Sequence, residues 1–405
     1  MTTPFTEHTI LDVVRNDPTL SALFGDDPLT SSQIVEGNVN LIFRVASAND
    51  PRRSVLIKQA LPHSWRYPDF KMPVERQQIE HDVLQIEARY CPDQVPAIYL
   101  YDADRHLLAL QDLNAHLVMR DGLMQQRRYP HVAQHIGTFM ARTLFYTSDL
   151  YLPSAEKKAL VAQFLNPVLR KVQEDLVFTQ PYQPHPNNRW TPPLDPLVQS
   201  VYADDALRAE IFVLKERYMT HTQALLHNDL HSGSILLTED DTKVIDPEFA
   251  FVGPIGHDIG SYLGNLVISY AAQEQHAPDP QGRASYRAWL LDLLRDTWHV
   301  FETEWGRLWE AEGNDEWPSP TYRRRYLQQL LHDTAGFGAA EVYRRTIGMA
   351  HVQDFWTIED QQTRAAAERI ALDVAHAWLM DRTHYRTIDD LANALVRATS
   401  RTEHS

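Results

Sequence analysis

Apolar positions alternate with polar ones through the first quarter of the chain, and then the period changes. In SSQIVEGNVNLIFRV, residues 31–45, Leu41, Phe43 and Val45 alternate after a Gly37-Asn38 turn, which is the pattern of a hairpin. SVLIKQAL, residues 54–61, is a β-branched run that carries Lys58 near its end. VERQQIEHDVLQIEARY, residues 74–90, sets Val74, Ile79, Val83 and Ile86 near helical spacing. PAIYLYD and HLLALQDL read as two further strands. From about residue 113 helical spacing takes over: Val132, Ile136, Phe139 and Thr143 share a face, and 156–178, 204–224, 283–311, 322–351 and 360–381 read as further helices. The proline-rich stretch 179–196 reads as an extended surface connection, because proline cannot continue a helix. The predicted fold class is therefore α+β in two lobes. A small antiparallel-sheet lobe with one helix spans 1–112, and a larger helical lobe spans 113–405 with a short strand pair around ALL, SILL and TKVID.

Composition narrows the classes. The 405 residues suffice for a large core, and 43% hydrophobic with 23% charged residues is ordinary for a globular chain. A net charge of −16 argues against general affinity for nucleic acid or for an anionic membrane. Cys91 is the only cysteine, which excludes an internal disulfide framework and fits a reducing, cytoplasmic setting. No run approaches the roughly 18 apolar residues of a membrane span, and MTTPFTEHTI lacks a signal-peptide pattern.

Chemistry concentrates in LLHNDLHSGSILLTEDDTKVIDPEFAF, residues 225–251. HNDLHSGS is a polar loop, and SILL and TKVID flank the turn TEDD. A hairpin returns to its start, so Asp229 before it and Asp246 after it finish at one end. Phosphoryl transfer needs that geometry: one Asp at the attacking hydroxyl, another at the magnesium on the phosphates. Protein kinases show a related order, an Asp, an Asn, and an Asp-Phe-Gly after a hairpin. Here Ser234 stands at the Asn position and the triplet is Asp246-Pro247-Glu248, so Glu248 supplies the oxygen that a hydroxyl provides poorly. The rival is a zinc-dependent hydrolase on His227, Asp229 and His231. Its two histidines are spaced for one helix face, but Asn, Asp, Ser and Gly favour a loop, and no further His or Cys nearby completes a tetrahedral set. His227 is expected to brace the loop.

The remaining parts of a nucleotide site can be assigned from sequence position. Gly37, Asn38 and Asn40 suit a phosphate-facing turn, with an ordinary hairpin turn as the plain alternative. Lys58 reaches the α- and β-phosphates, oriented by Glu80 on the following helix, with Glu75 and Glu87 as alternatives. Backbone groups near Gln111, Asp112 and Leu113 offer an edge for adenine. Asp258 caps a helix or accepts backbone N–H groups from the catalytic loop. Arg344 and Arg345 are adjacent on a helix and so point about 100° apart; one is expected at the cleft and the other paired with an acid inside the lobe.

Taken together, EGNVNL, LIKQALP, LALQDL, HNDLHSGSI, VIDPEFAFVGPIGHDIG and RRTIGMAHV resemble one family, the bacterial and plant methylthioribose kinases, relatives of aminoglycoside and choline kinases with a protein-kinase-like fold. The resemblance covers nearly the whole chain. It departs at Asn228, where the family usually has glycine and where a side chain adds bulk beside Asp229. It implies ATP and Mg2+, and transfer to the 1-hydroxyl of 5-methylthioribose in methionine salvage, or to another 5-deoxysugar or an amino alcohol in a divergent member. It also implies Asp229 as base or hydroxyl orienter, Asp246 and Glu248 as metal ligands, Arg344 on the sugar with Arg345 nearby, and a homodimer.

Overall fold

The computed structural model describes residues 3–35 and 39–402; Gly37 and Asn38 lie outside the described residues. Strands β1 (Leu29–Ile34), β2 (Leu41–Ser47), β3 (Ser54–Gln59), β4 (Ile98–Asp102) and β5 (Leu107–Gln111) form one antiparallel sheet in the order β1-β2-β3-β5-β4. Helix α1 (Glu7–Asn16) and the short α2 (Pro18–Ala22) precede it, and α3 (Arg76–Tyr90) is inserted between β3 and β4. The single-helix expectation for this lobe is thus corrected. α1 starts at a reciprocal cap between Thr6 and Thr9, and buries Ile10, Val13 and Val14. α2 starts at the Asp17 cap with Pro18 at its first position.

The larger part begins with α4 (Met119–Met124) and α5 (Val132–Tyr146). The expected helix 156–178 is two, α6 (Ser154–Gln163) and α7 (Pro167–Phe178). Pro167 cannot continue α6, and Asn166 before it turns at φ 41°. Then come α8 (Asp195–Ala203), α9 (Asp205–Thr220), α10 (Gly256–His276) and α11 (Pro280–Glu312). The chain ends with α12 (Pro320–Thr346), α13 (Gln353–Trp356), α14 (Gln361–Met380) and α15 (Ile388–Thr402). Residues 179–196 do not run extended over the surface. They contain two 3₁₀ turns, Gln180–Tyr182 and Pro192–Leu194, because Tyr182 and Leu194 between the prolines are buried in the core. Among the described residues no helix is long and apolar enough to cross a membrane.

The SILL–TKVID hairpin of the large lobe forms as expected, but ALL pairs elsewhere and a further strand joins the hairpin. β6 (Leu117–Val118), β8 (Ile235–Leu237) and β9 (Thr242–Val244) form one antiparallel ribbon. β7 (Ala224–Leu226) pairs instead with β10 (Phe251–Gly253). Ile245 N–H donates to Ser234 O at 3.0 Å, extending the β8–β9 hairpin, and its O meets His227 Nε2, just after β7, at 2.9 Å, which joins the two ribbons beside the acidic residues.

α10 and α12 form the centre of the helical lobe. Their backbones approach through glycine: a Cβ on Gly260 would stand 2.6 Å from Gly338 N and 2.7 Å from Thr334 O. Gly260→Ala should therefore force the helices apart and lower stability by about 1–3 kcal/mol. Denaturant unfolding should show a lower midpoint at unchanged slope; an unshifted midpoint would mean the helices can yield freely.

Candidate functional site

The turn after β7 is built on a left-handed residue. Asn228 has φ 63°, which an Asn tolerates better than most side chains. The turn aims two successive amides at one acceptor: Asp258 Oδ2 takes His227 N–H at 2.7 Å and Oδ1 takes Asn228 N–H at 2.9 Å. Asn228 does not crowd Asp229. Its side chain is fully buried, accepting from Tyr218 OH at 3.1 Å and donating to Phe249 O at 2.8 Å. His227 braces the loop, with Nε2 2.9 Å from Ile245 O and Nδ1 accepting Asp229 N–H at 3.3 Å.

Asp229 follows this turn into a cleft of about 450 Å³, also lined by Asn40, Lys58, Ser234, Asp246, Glu248, Arg344 and Arg345. The two arginines share a task, contrary to the argument from their 100° separation. Arg344 Nη2 lies 3.0 Å from Asp229 Oδ1, and Arg345 Nη2 lies 3.7 Å from the same oxygen. Glu341, one turn earlier on α12 and 2% exposed, takes Arg344 Nε and, at 2.8 Å, Arg345 Nε. Three- and four-residue spacing puts Glu341 between the two stems, so long side chains converge where their Cα–Cβ bonds diverge. Arg344 Nη1 also donates to Gln173 at 3.1 Å.

Burial alone would raise the Asp229 pKa, but His231, Arg344 and Arg345 outweigh it and hold this carboxyl well below the usual range. Glu341 is likewise pulled against its burial to about 2 by the two arginines. Burial lowers the His231 pKa, so its imidazole is neutral at pH 7; Nε2 lies 3.3 Å from Asp229 Oδ2 and Nδ1 accepts Gly233 N–H at 2.8 Å.

Asp246 is the second left-handed residue, at φ 66°, and 44% of its side chain is exposed to the cleft. Lys58, opposite Ile42 in the sheet, bridges Asp246 and Glu80, each at 2.5 Å. Burial opposes its charge, but Asp246, Glu80 and Glu248 raise the Lys58 pKa. Glu248 is held by Asn40 Nδ2 at 3.0 Å and Arg76 Nε at 3.3 Å. Asn166 Nδ2 donates to Glu248 O and Ala250 O, at 3.1 and 3.0 Å. Two carboxylates and the Ser234 hydroxyl on one cleft are a hard-oxygen set suited to magnesium, which uses one or two carboxylates, waters and phosphate oxygens. For zinc the residues do not fit. Among the described residues no group of three His, Cys, Asp or Glu is placed to hold a metal, and His227 has both nitrogens committed to the backbone.

Glu80 stands behind Lys58, and Pro247 opens the 3₁₀ turn Pro247–Phe249; neither lines the cleft. Gln111, Asp112 and Leu113 stand at the connection between sheet and helices, also outside the lining. There Gln111 N–H bonds Ala97 O, Asp112 pairs with Arg44 at 2.5 Å, and Leu113 O accepts from His116 N–H. Sequence reasoning missed Arg76, Asn166 and Glu341. Glu341 was detectable, since its spacing to both arginines is the helical pairing rule; Arg76 acts across the lobes and Asn166 on partners more than eighty residues away, and neither leaves a local signal.

The phosphotransferase enzyme family matches residues 66–289. Over 403 residues the chain is 39% identical to methylthioribose kinase 1 of Oryza sativa subsp. japonica, covering 95% of this chain and 93% of the relative. It is 38% identical over 371 residues to a methylthioribose kinase of Geobacillus kaustophilus, covering 91% of each. Among solved structures, a glucosamine kinase in complex with glucosamine, ADP and inorganic phosphate aligns over 88% of this chain and 85% of its own, at 13% identity and a TM-score of 0.49.

The depressed Asp229 pKa is measurable directly. Carboxyl NMR should find it ionised at pH values below about 3.9, where a free Asp is half protonated, and Arg344→Ala should move the titration upward. An unmoved titration would mean the arginine is too well solvated to matter.

Proposed function

The chain belongs to the methylthioribose kinases and to the phosphotransferase enzyme family, and from that membership we propose that it transfers the γ-phosphoryl group of ATP to the 1-hydroxyl of 5-methylthioribose. The products are 5-methylthioribose 1-phosphate and ADP, a step of methionine salvage, and the setting is the cytoplasm. The observation that carries the reading is one cleft bordered by Asp229 on one loop and by Asp246 and Glu248 on the other.

Each residue has a role in that reaction. Lys58 contacts the α- and β-phosphates, with Glu80 holding its ammonium group. Asp246, Glu248 and Ser234 hold Mg2+, which supplies charge neutralisation on the phosphates. The connection at 111–113 is assigned to the adenine, and Gly37, Asn38 and Asn40 to the phosphates. Arg344 and Arg345 bind sugar oxygens. Asp229 orients the attacking hydroxyl; a carboxylate held so far below neutrality is a poor base toward a free hydroxyl, but a loose transition state asks mainly for position. The protein acts as a homodimer, as the resemblance implies.

An ADP-release assay with magnesium, ATP and a panel of alcohols tests the assignment. Turnover should be highest with 5-methylthioribose; a higher kcat/KM for choline, an aminoglycoside or another deoxysugar would replace the acceptor. Asp229→Ala should lose turnover by about 10³-fold or more while still binding ATP; near-normal turnover would remove Asp229 from its role. Arg344→Ala should raise KM for the sugar far more than KM for ATP, and equal effects on both would leave it only a packing role.

A further inference from the structure

Arg120 takes no part in the roles above, yet it lines the same cleft. It belongs to α4, directly after β6, whose pairing with β8 brings it against the catalytic loop. Its backbone N–H donates to Ser232 O at 3.0 Å, and Nη2 lies 3.2 Å from where a Cβ on Gly233 would stand. A side chain at 233 would drive into both Arg120 and His231, so glycine here lets the guanidinium lie on the loop segment between Asp229 and Ser234.

What distinguishes Arg120 is that it is uncommitted. Arg344 and Arg345 are matched by Asp229 and Glu341, a neutral quartet. Among the described residues the Arg120 guanidinium makes no hydrogen bond, and its Nε is buried without a partner. The acid whose charge it feels, Asp354, is 2% exposed and has Oδ2 unpaired as well. A buried guanidinium nitrogen without an acceptor is costly, and its natural complement is an anion with several oxygens.

The reaction delivers such an anion to this place. The bond from the γ-phosphorus to the β–γ bridging oxygen of ATP breaks as the sugar oxygen bonds that phosphorus, and the hydroxyl proton leaves through Asp229 to solvent. The transferred group thereby moves toward the Asp229 carboxylate, which repels it, and away from the metal-holding acids. We propose that Arg120 receives the migrating phosphoryl group, hydrogen-bonding its oxygens in the transition state and in the sugar 1-phosphate product. This rests on the kinase reading and deepens it by adding a phosphoryl contact on the acceptor side.

Arg120→Gln, Arg120→Lys and Asp354→Asn test it. Arg120→Gln should lower kcat by about 10²–10³-fold, leave KM for sugar and for ATP within about threefold, and weaken binding of the sugar 1-phosphate by about tenfold. Arg120→Lys should restore part of the loss. Calorimetry with MgADP and aluminium fluoride needs no acceptor identity: Arg120→Gln should weaken the fluoride-dependent gain in affinity and leave MgADP alone unchanged. An unchanged gain overturns the proposal. So does a rise in sugar KM at unaltered kcat, which would put Arg120 on the sugar hydroxyls, or an Asp354→Asn variant that reproduces the kcat loss, which would make the arginine a structural tie. If the wild type fails to phosphorylate 5-methylthioribose, the acceptor is wrong, and the fluoride measurement still judges Arg120.

Discussion

One buried carboxylate sets the geometry of the cleft. Asp258 takes two consecutive backbone N–H groups from a turn that reverses at a left-handed residue. Both amides are out of reach of water, and each would cost about 1–3 kcal/mol if left without an acceptor. The turn therefore follows Asp258, and Asp229 follows the turn. Asp258 is in the first turn of α10, the helix whose glycines lie on α12. The same helix reaches the loop again through Asn265, which accepts from Ser232 Oγ at 3.1 Å and donates to Glu341 at 3.1 Å. The distance from Asp229 to Arg344 is thus fixed by how closely two helices pack, which explains why small residues occur where the backbones cross.

The second half of the cleft is held by charges that cross between the lobes. Lys58 comes from β3 and Asp246 from the loop after β9; Arg76 comes from α3 and Glu248 from the turn beyond. These contacts join the sheet lobe to the helical lobe through ions. They are also the groups that a nucleotide and its metal would engage. In its proposed role Lys58 would exchange Asp246 for phosphate oxygens and keep its buried bond to Glu80. The sheet lobe is also tied across by Glu248 to Asn40 and Arg76, so that the Asp246 partner can change without the lobes separating.

Much of this was legible in the chain. The hairpin between Asp229 and Asp246 follows from the alternation of polar loop and β-branched runs, because a hairpin has only one way to return. Lys58 and Glu80 follow from a strand followed by a helix. The partner of β7 was not legible, since three-residue strands carry no register signal and β7 chooses β10 over the nearer hairpin. The break at Pro167 could have been read, but a helical period on both sides concealed it. Arg344 and Arg345 converge although their Cα–Cβ bonds diverge, because side-chain length and not backbone direction decides where the guanidinium groups meet. Arg76 and Asn166 were missed for a different reason: their partners lie in the other lobe or far along the chain, and only packing brings them there.

The arginines explain what kind of acid–base chemistry the cleft can run. Glu341 neutralises part of their charge, and the remainder falls on Asp229 and holds it ionised. Such a carboxylate cannot abstract a proton from an unreacted hydroxyl at neutral pH. As the sugar oxygen bonds to phosphorus its proton becomes strongly acidic, and then even a weak base accepts it. In the proposed reaction Asp229 would therefore take the proton late, after the phosphoryl group has largely moved. Until that moment the proposed task is geometric: an ionised acceptor, fixed by Arg344 on one side and by the Asp258-held turn on the other, would point the hydroxyl along the line of transfer. Tuning this acid downward costs basicity that the reaction does not need and gains a fixed orientation that it does.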